Sequence, residues 1–272
     1  MHCVTFNPLR TLGMPNITYI KPEHMFLKIE EIRAADVVLF PEYWQVNTLV
    51  YGLKKKIFPS IETFHLGHNK VEMTRGLRAT FPEHIPYTEI VANTPDNRER
   101  IVETFSYPFV AKEIKNSMGR GVFLIENRHD WNQYVIEQES LYVQEYIPAD
   151  RDLRVVYVGD QVLTAYWRIA PDDQFHHNVA RGGVISYNNI PAEAVKLVSQ
   201  IAKQLNINHA GFDLLYDGKK LFVLEFNVLF GNQGIQEQGI NVEEHIYRYL
   251  LREFRPHFPT TPNRPIGGKR VS

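Results

Sequence analysis

A single cysteine, Cys3, is all that this 272-residue chain contains, which excludes an internal disulfide framework and any multi-cysteine metal site. A reducing compartment suits such a chain. No apolar run approaches the roughly 20 residues that span a bilayer. The opening segment MHCVTFNPLR lacks a basic stretch followed by an apolar signal core, so a cytoplasmic protein is expected. Charge of one sign is missing too. The formal net charge is -1, and no global field favours nucleic acid or an anionic membrane. The local run LKKK at 53–56 reads as a solvated element end. There is no internal repeat, and the Pro-, Gly- and Arg/Lys-rich end RPHFPTTPNRPIGGKRVS reads as a frayed tail.

What is present is ample material for a core, 44% of the residues being hydrophobic. The first part alternates short β-rich runs (CVTF, NITYI, DVVLF, IFPSI) with helical ones at 22–35, near 46–54, and from His68 or Asn69 to Ala79. Such alternation predicts an α/β layer with a largely parallel sheet. From about Thr88 the texture changes. Helices at 96–105 and 129–138 alternate with strands in YPFVAKEI, GVFLIE and LYVQEYI, the first two antiparallel across a glycine-containing loop. A hairpin turning at Gly159-Asp160, a helix over 191–205, a second hairpin at Asp217-Gly218 and a helix over 242–254 complete the chain.

The polar residues inside apolar runs carry the chemistry. In LFVLEFNVLFGNQGI, Glu225 and Asn227 interrupt a strand that otherwise looks buried, and an unpartnered carboxylate is expensive there. A three-residue loop over DGK would pair Tyr216 with Lys220, set Asp213 opposite Val223 and leave Glu225 diagonal to Asp213 on the same face. A two- or four-residue loop would separate the carboxylates. Together, Asp213, Glu225 and Asn227 form an all-oxygen set of the kind a hard divalent cation prefers. The alternative is that each carboxylate simply pairs with a lysine or arginine. In KEIKNSMGRGV, Lys112 precedes a loop with Gly119 and Gly121 whose backbone could approach an anion, although a glycine hairpin beside a lysine is also common. The spacing is not that of a Walker A loop. YVQEYIPADRDLR reads as a strand leaving a sheet edge.

In this order, FVAKEIKNSMGRGV, YVQEYI, DLRVVYVGDQV, NVARGG, AGFDLLY and LEFN resemble the successive motifs of ATP-grasp enzymes. They are most similar to the RimK-type branch of carboxylate–amine ligases, which includes α-L-glutamate ligases, and the resemblance runs from Ile57 to Tyr249. It implies an α/β (α+β) ATP-grasp fold. The implied division is an N-terminal α/β domain (1–66), a linker helix with a nucleotide-binding subdomain (67–147), a metal-bearing subdomain (148–255) and a tail (256–272).

The resemblance further implies ATP with magnesium, or manganese in its place. Lys70 and Lys112 would bind phosphates, and Asn116, Ser117, Gly119 and Gly121 would belong to the loop over them. Gln144, Glu145 and Ile147 would form the adenine hinge, and Asp152 would bind the ribose. Asn178, Arg181, Gly182 and Arg154 would hold phosphate oxygens or the acyl phosphate, with Arg181, Arg154 and Lys112 as the catalytic cations and Arg168 as a further member. Asp213, Glu225 and Asn227 match the metal ligands. The expected substrates are a carboxylate and an amine on an amino acid, peptide or protein, and relatives commonly self-associate. Two departures stand out: Phe230 where the family often has proline, and Phe212 where some branches carry arginine. An ATP-grasp kinase and a non-catalytic nucleotide-binding protein are the rival readings.

Overall fold

The computed structural model describes residues 1–114, 121–169 and 184–254. The first sheet is built from very short strands, β1 (Cys3–Thr5), β2 (Ile17–Tyr19), β3 (Val37–Leu39) and β4 (Lys56–Phe58), all parallel in the order β2-β1-β3-β4. Both faces are covered, as a parallel sheet requires. Val4, Val38 and Ile57 pack on Met25, Ile32 and Leu49 on one side. Cys3, Val37, Leu39 and Phe58 meet Val156, Phe230, Ile246 and Leu250 on the other. Parallel pairing brings the chain after β1 (Phe6) and after β3 (Phe40 to Glu42) to a single edge, the usual place for ligands in open α/β sheets.

The helix expected over 22–35 divides into a 3-10 segment, Pro22–Lys28, and α1 (Ile29–Ala34). The first segment buries only Met25 and leaves Phe26 and Leu27 exposed. Near 46–54, α2 (Tyr43–Asn47) passes into a single π turn, Thr48–Gly52. Helix α3 (Ile61–His68) has no counterpart among the expected helices and is capped where the Ser60 hydroxyl accepts from the Thr63 N–H at 3.1 Å. Asn69, in an extended conformation, then separates it from α4 (Lys70–Thr80) and caps α4 by accepting from the N–H groups of Val71 and Glu72.

The second sheet is antiparallel, with β5 (Thr88–Ala92), β6 (Phe109–Lys112), β7 (Val122–Ile125) and β8 (Ser140–Glu145) in the order β5-β8-β6-β7. Helices α5 (Pro95–Thr104) and α6 (Arg128–Ile136) cover one face through Ile101, Trp131 and Val135. Alternation along the strands puts Lys112, Tyr142, Gln144 and Thr88 on the opposite face.

The third sheet, also antiparallel, contains β9 (Arg151–Val158), β10 (Gln161–Ile169), β11 (Val184–Ser186), β12 (His209–Tyr216) and β13 (Leu221–Asn227), ordered β11-β10-β9-β12-β13. Leu153, Val155, Phe212, Val223 and Phe226 form its core with α7 (Ala192–Gln204). Met73 and Leu77 of α4 belong to this core, and the Met73 sulfur accepts from the Phe226 N–H at 3.2 Å. The chain ends in α8 (Gln233–Gln236) and α9 (Val242–Glu253), whose Ile246 and Leu250 join the core under the first sheet. Among the described residues, no helix is long and apolar enough to cross a membrane.

Candidate functional site

Register on the third sheet gathers the polar side chains. Arg154 of β9 lies opposite Tyr166 of β10 on one side and opposite Asp213 of β12 on the other. Asp213 in turn faces Glu225 directly, and Gly211 faces Asn227. One face therefore carries Asp152, Arg154, Arg168, Asp213, Glu225 and Asn227, with apolar side chains beneath.

The hairpin that pairs the carboxylates differs from the expected one. Its turn has four residues, 217–220, with Tyr216 opposite Leu221. The Asp217 carboxylate stabilises this longer turn by accepting from the N–H groups of Lys219 (2.8 Å) and Lys220 (2.7 Å). Alone, that turn would send Glu225 into the core. A β-bulge intervenes: Leu214 pairs with Val223 and Asp213 with Glu225, leaving Leu224 as the extra residue. The bulge restores the shared face, and Leu224 is partly exposed while Val223 and Phe226 are buried.

Asp213 is held by two guanidinium groups. Arg154 donates through Nε (2.5 Å) and Nη2 (3.1 Å), and Nη2 of Arg168 lies 2.8 Å from Oδ1. Arg168 also donates to both oxygens of Asp152, each at 2.6 Å. The carboxylate read as a ribose ligand is thus committed to Arg168 and is only 8% exposed. Burial opposes the Arg168 charge, yet Asp213 and Asp152 outweigh it and raise its pKa. The ion-pair alternative therefore holds for Asp213. It does not hold for Glu225, which has no lysine or arginine at ion-pair distance among the described residues. Gly211 makes room for this arrangement, since a Cβ there would stand 2.8 Å from Nη1 of Arg154.

Asn227 lies between the two carboxylates. Its Nδ2 donates to Asp213 and to Glu225, each at 3.3 Å. An N–H group where two carboxylates converge is a partial positive charge at the point where a cation would serve, and a flip of the amide would turn its oxygen to the same point. The donor set fits a hard divalent cation.

Lys112 approaches from the second sheet. It is buried, with Nζ 5.5 Å from the centre of the Tyr142 ring. Burial pushes its ammonium down to about 8, opposed by Glu225 and Asp213, while the neighbouring charge of Lys70 lowers it further. Lys70, the first residue of α4, reaches the Glu113 carbonyl at 3.5 Å. Lys112 thus feels both carboxylates of a separate sheet, with the charge of Lys70 near it.

Gln144 donates to the Thr88 hydroxyl at 2.9 Å, and Glu145 accepts from the Tyr87 N–H at 2.6 Å, so these side chains hold β8 to β5. Ile147 follows beyond the strand, partly exposed. Gly121 has φ +73, and a Cβ there would lie 2.5 Å from the Glu113 carboxylate. Asn116, Ser117, Gly119, Asn178, Arg181 and Gly182 lie outside the described residues. Reading the sequence missed Tyr142, whose hydroxyl meets that of Thr74 at 2.7 Å, and Tyr134, whose hydroxyl donates to the Lys112 carbonyl at 2.9 Å. Tyr142 was detectable, being two residues from Gln144 and so on its face. The two departures also have structural uses. Phe212 packs on Phe226 in the core, away from the site. Phe230 stacks on His209 at 4.7 Å, and its carbonyl accepts from Arg10 at 2.9 Å.

Solved structures share this architecture. An ATP-grasp RimK-domain protein from Sphaerobacter thermophilus superposes with a TM-score of 0.65 at 15% identity, covering 92% of this chain and 99% of that one. D-alanine–D-alanine ligase from Bacillus anthracis complexed with ATP gives 0.69 at 13% identity, covering 93% and 98%. Both likenesses concern the fold, which is that of the ATP-grasp class. The model of the RimK-like ATP-grasp domain matches residues 71–250, and the chain belongs to that family. The ribosomal protein bS6–L-glutamate ligase of Escherichia fergusonii is 30% identical over 182 residues, which are 64% of this chain and 60% of the relative.

Proposed function

We propose that the chain is an ATP-dependent ligase that joins a carboxylate to an amine and releases ADP and phosphate. The observation that carries this reading is buried Lys112, with Lys70 beside it, acting on Asp213 and Glu225 of a different sheet. A triphosphate with its divalent cation satisfies both halves at once, since its oxygens can take the ammonium groups while the carboxylates bind the cation.

In this reading Asp213, Glu225 and Asn227 hold magnesium, or manganese in its place. Bound there, the ion offsets charge on the phosphate oxygens. Lys70 and Lys112 orient the triphosphate, and the glycine loop ending at Gly121 covers it. The backbone from Gln144 to Ile147 receives the base. Arg154 and Arg168 exchange part of their hold on Asp213 for phosphate oxygens, joined by Asn178 and Arg181. No protein nucleophile is needed, because positioning and charge stabilisation do the work. A substrate carboxylate oxygen bonds to the γ-phosphorus as the bond to ADP breaks, and ADP leaves with the electron pair. The amine nitrogen then bonds to the acyl carbon. The carbon–oxygen bond to phosphate breaks, and the nitrogen gives up a proton to water.

Family membership supports the ligase class, and the bS6–glutamate ligase relative supports an amino acid such as glutamate with a peptide or protein as partner. The test is ADP release across pools of amino acids and peptides, with mass spectrometry of the products. An amide that requires both partners is expected. A phosphorylated product formed without any amine would identify a kinase instead, and nucleotide binding without turnover would identify a binding protein.

A further inference from the structure

A cavity of about 430 Å³ opens where the carboxyl edge of the first sheet meets the end of β13, within the ~300–1,000 Å³ typical of small-molecule sites. It begins beside Asn227, the outermost of the candidate metal ligands, so its occupant lies next to the reacting phosphate. Gly67 permits this closeness. A Cβ there would stand 2.3 Å from Cγ2 of Val228, so only glycine lets α3 lie against the strand end.

The chemistry of its walls is uneven. Phe6, Phe40 and Phe64 are buried and give an apolar floor, while Val228 and Leu229 give an apolar side. The Glu42 carboxylate stands at the mouth, and no lysine or arginine is among the described lining residues. Glu42 is held by the Trp44 indole, whose Nε1 donates to Oε2 at 2.6 Å. Tyr43 stacks on His68 at 3.5 Å and forms the opposite rim. Most of these residues precede position 71, where the family match begins, so this wall is not part of what the chain shares with that family.

We propose that this cavity receives the amine substrate and selects amines that carry an apolar or aromatic side chain. The inference rests on the ligase reading above. A carboxylate at the mouth, with no lysine or arginine among the described lining residues, attracts an ammonium and repels a carboxylate, which places the amine here and not the acid. The same charge disfavours an acidic side chain, while three phenylalanines and two aliphatic residues reward an apolar one. Glutamate as the amine, suggested by the bS6–glutamate ligase relative, does not suit this lining. Glu42 acts as a positioning residue for the ammonium, which must lose a proton to water before it attacks.

Trp44 is half-exposed beside Glu42 and reports occupancy without turnover. Fluorescence titrations with MgADP present would compare L-phenylalaninamide, L-leucinamide and L-isoglutamine. The two apolar amides are expected to bind at least about tenfold more tightly. Glu42→Gln keeps an oxygen acceptor for the indole and removes the charge, so it should weaken L-phenylalaninamide by about tenfold. Leu229→Asp, at a half-exposed position, should weaken it as well. Equal or tighter binding of L-isoglutamine, or no effect of Glu42→Gln, overturns the proposal. In the product assay, amide from L-glutamate and none from L-phenylalanine or L-leucine overturns the selectivity and leaves the ligase intact. No amine-dependent product from any pool overturns the ligase reading, and this proposal with it.

Discussion

Asp213 and Glu225 face each other across one hairpin and live in different electrostatic worlds. Asp213 neutralises two buried arginines, so Asp213→Asn leaves Arg154 and Arg168 short of charge. The expected cost is about 3–5 kcal/mol of stability, together with loss of magnesium-dependent ADP release. Among the described residues Glu225 has only the Asn227 amide, so Glu225→Gln should hold the melting temperature nearly unchanged and still reduce ADP release at least about a hundredfold. Calorimetry beside kinetics separates the two, and unchanged turnover in Glu225→Gln would sink the metal assignment. The polar pair in LEFN was legible because it interrupts an apolar strand. The ladder from Asp152 through Arg168 to Asp213 was not, because its members meet only after the β9–β10 hairpin and the long-range β9–β12 pairing set their registers.

At the scale of elements, strands and caps follow from local chemistry, whereas registers follow from defects. The four-residue turn and the bulge at Leu224 are each a one-residue slip, and together they cancel. The sequence places both carboxylates on this hairpin; the longer turn rests on the local Asp217 carboxylate, whereas the bulge has no signal of its own in the sequence. The glycine loop is the second such element. Gly121 combines a left-handed φ with close approach to Glu113, so Gly121→Val should strain the end of the loop. The expected outcome is a rise in the KM for ATP of at least about tenfold with a smaller change in kcat, measured with the acid and amine saturating. An unchanged KM would remove the loop from phosphate binding.

The whole molecule is joined where the first and third sheets share a core, and His209 sits at that junction. It is surrounded by Phe40, Phe58 and Phe230, and its Nδ1 lies 2.8 Å from the Val228 carbonyl. Burial, with the charge of Arg10 adding to it, drives this imidazole down from 6.5 to about 3. Between those values the unfolded chain takes up a proton that the folded chain refuses. Stability present above pH 6.5 is therefore lost progressively as pH falls toward 3. Replacing His209 with Asn should flatten this dependence by one proton, read from melting temperatures at successive pH values. An unaltered slope would mean that the histidine titrates normally. Such a junction was invisible from the sequence, where His209 is only the first residue of an apolar strand.

The lining of the cleft also decides what can enter first. Three carboxylates, Asp152, Asp213 and Glu225, stand among four cations, Lys70, Lys112, Arg154 and Arg168, in a chain whose overall net charge is -1. Among the described residues, the cleft therefore carries an excess of positive charge in a nearly neutral molecule. In the proposed reading a bare divalent cation meets two guanidinium groups already neutralising Asp213, whereas a polyphosphate would draw those groups off as it docks. On that reading the metal is best delivered as cargo on the nucleotide, and Asp213 stays shielded by its arginines until the nucleotide arrives.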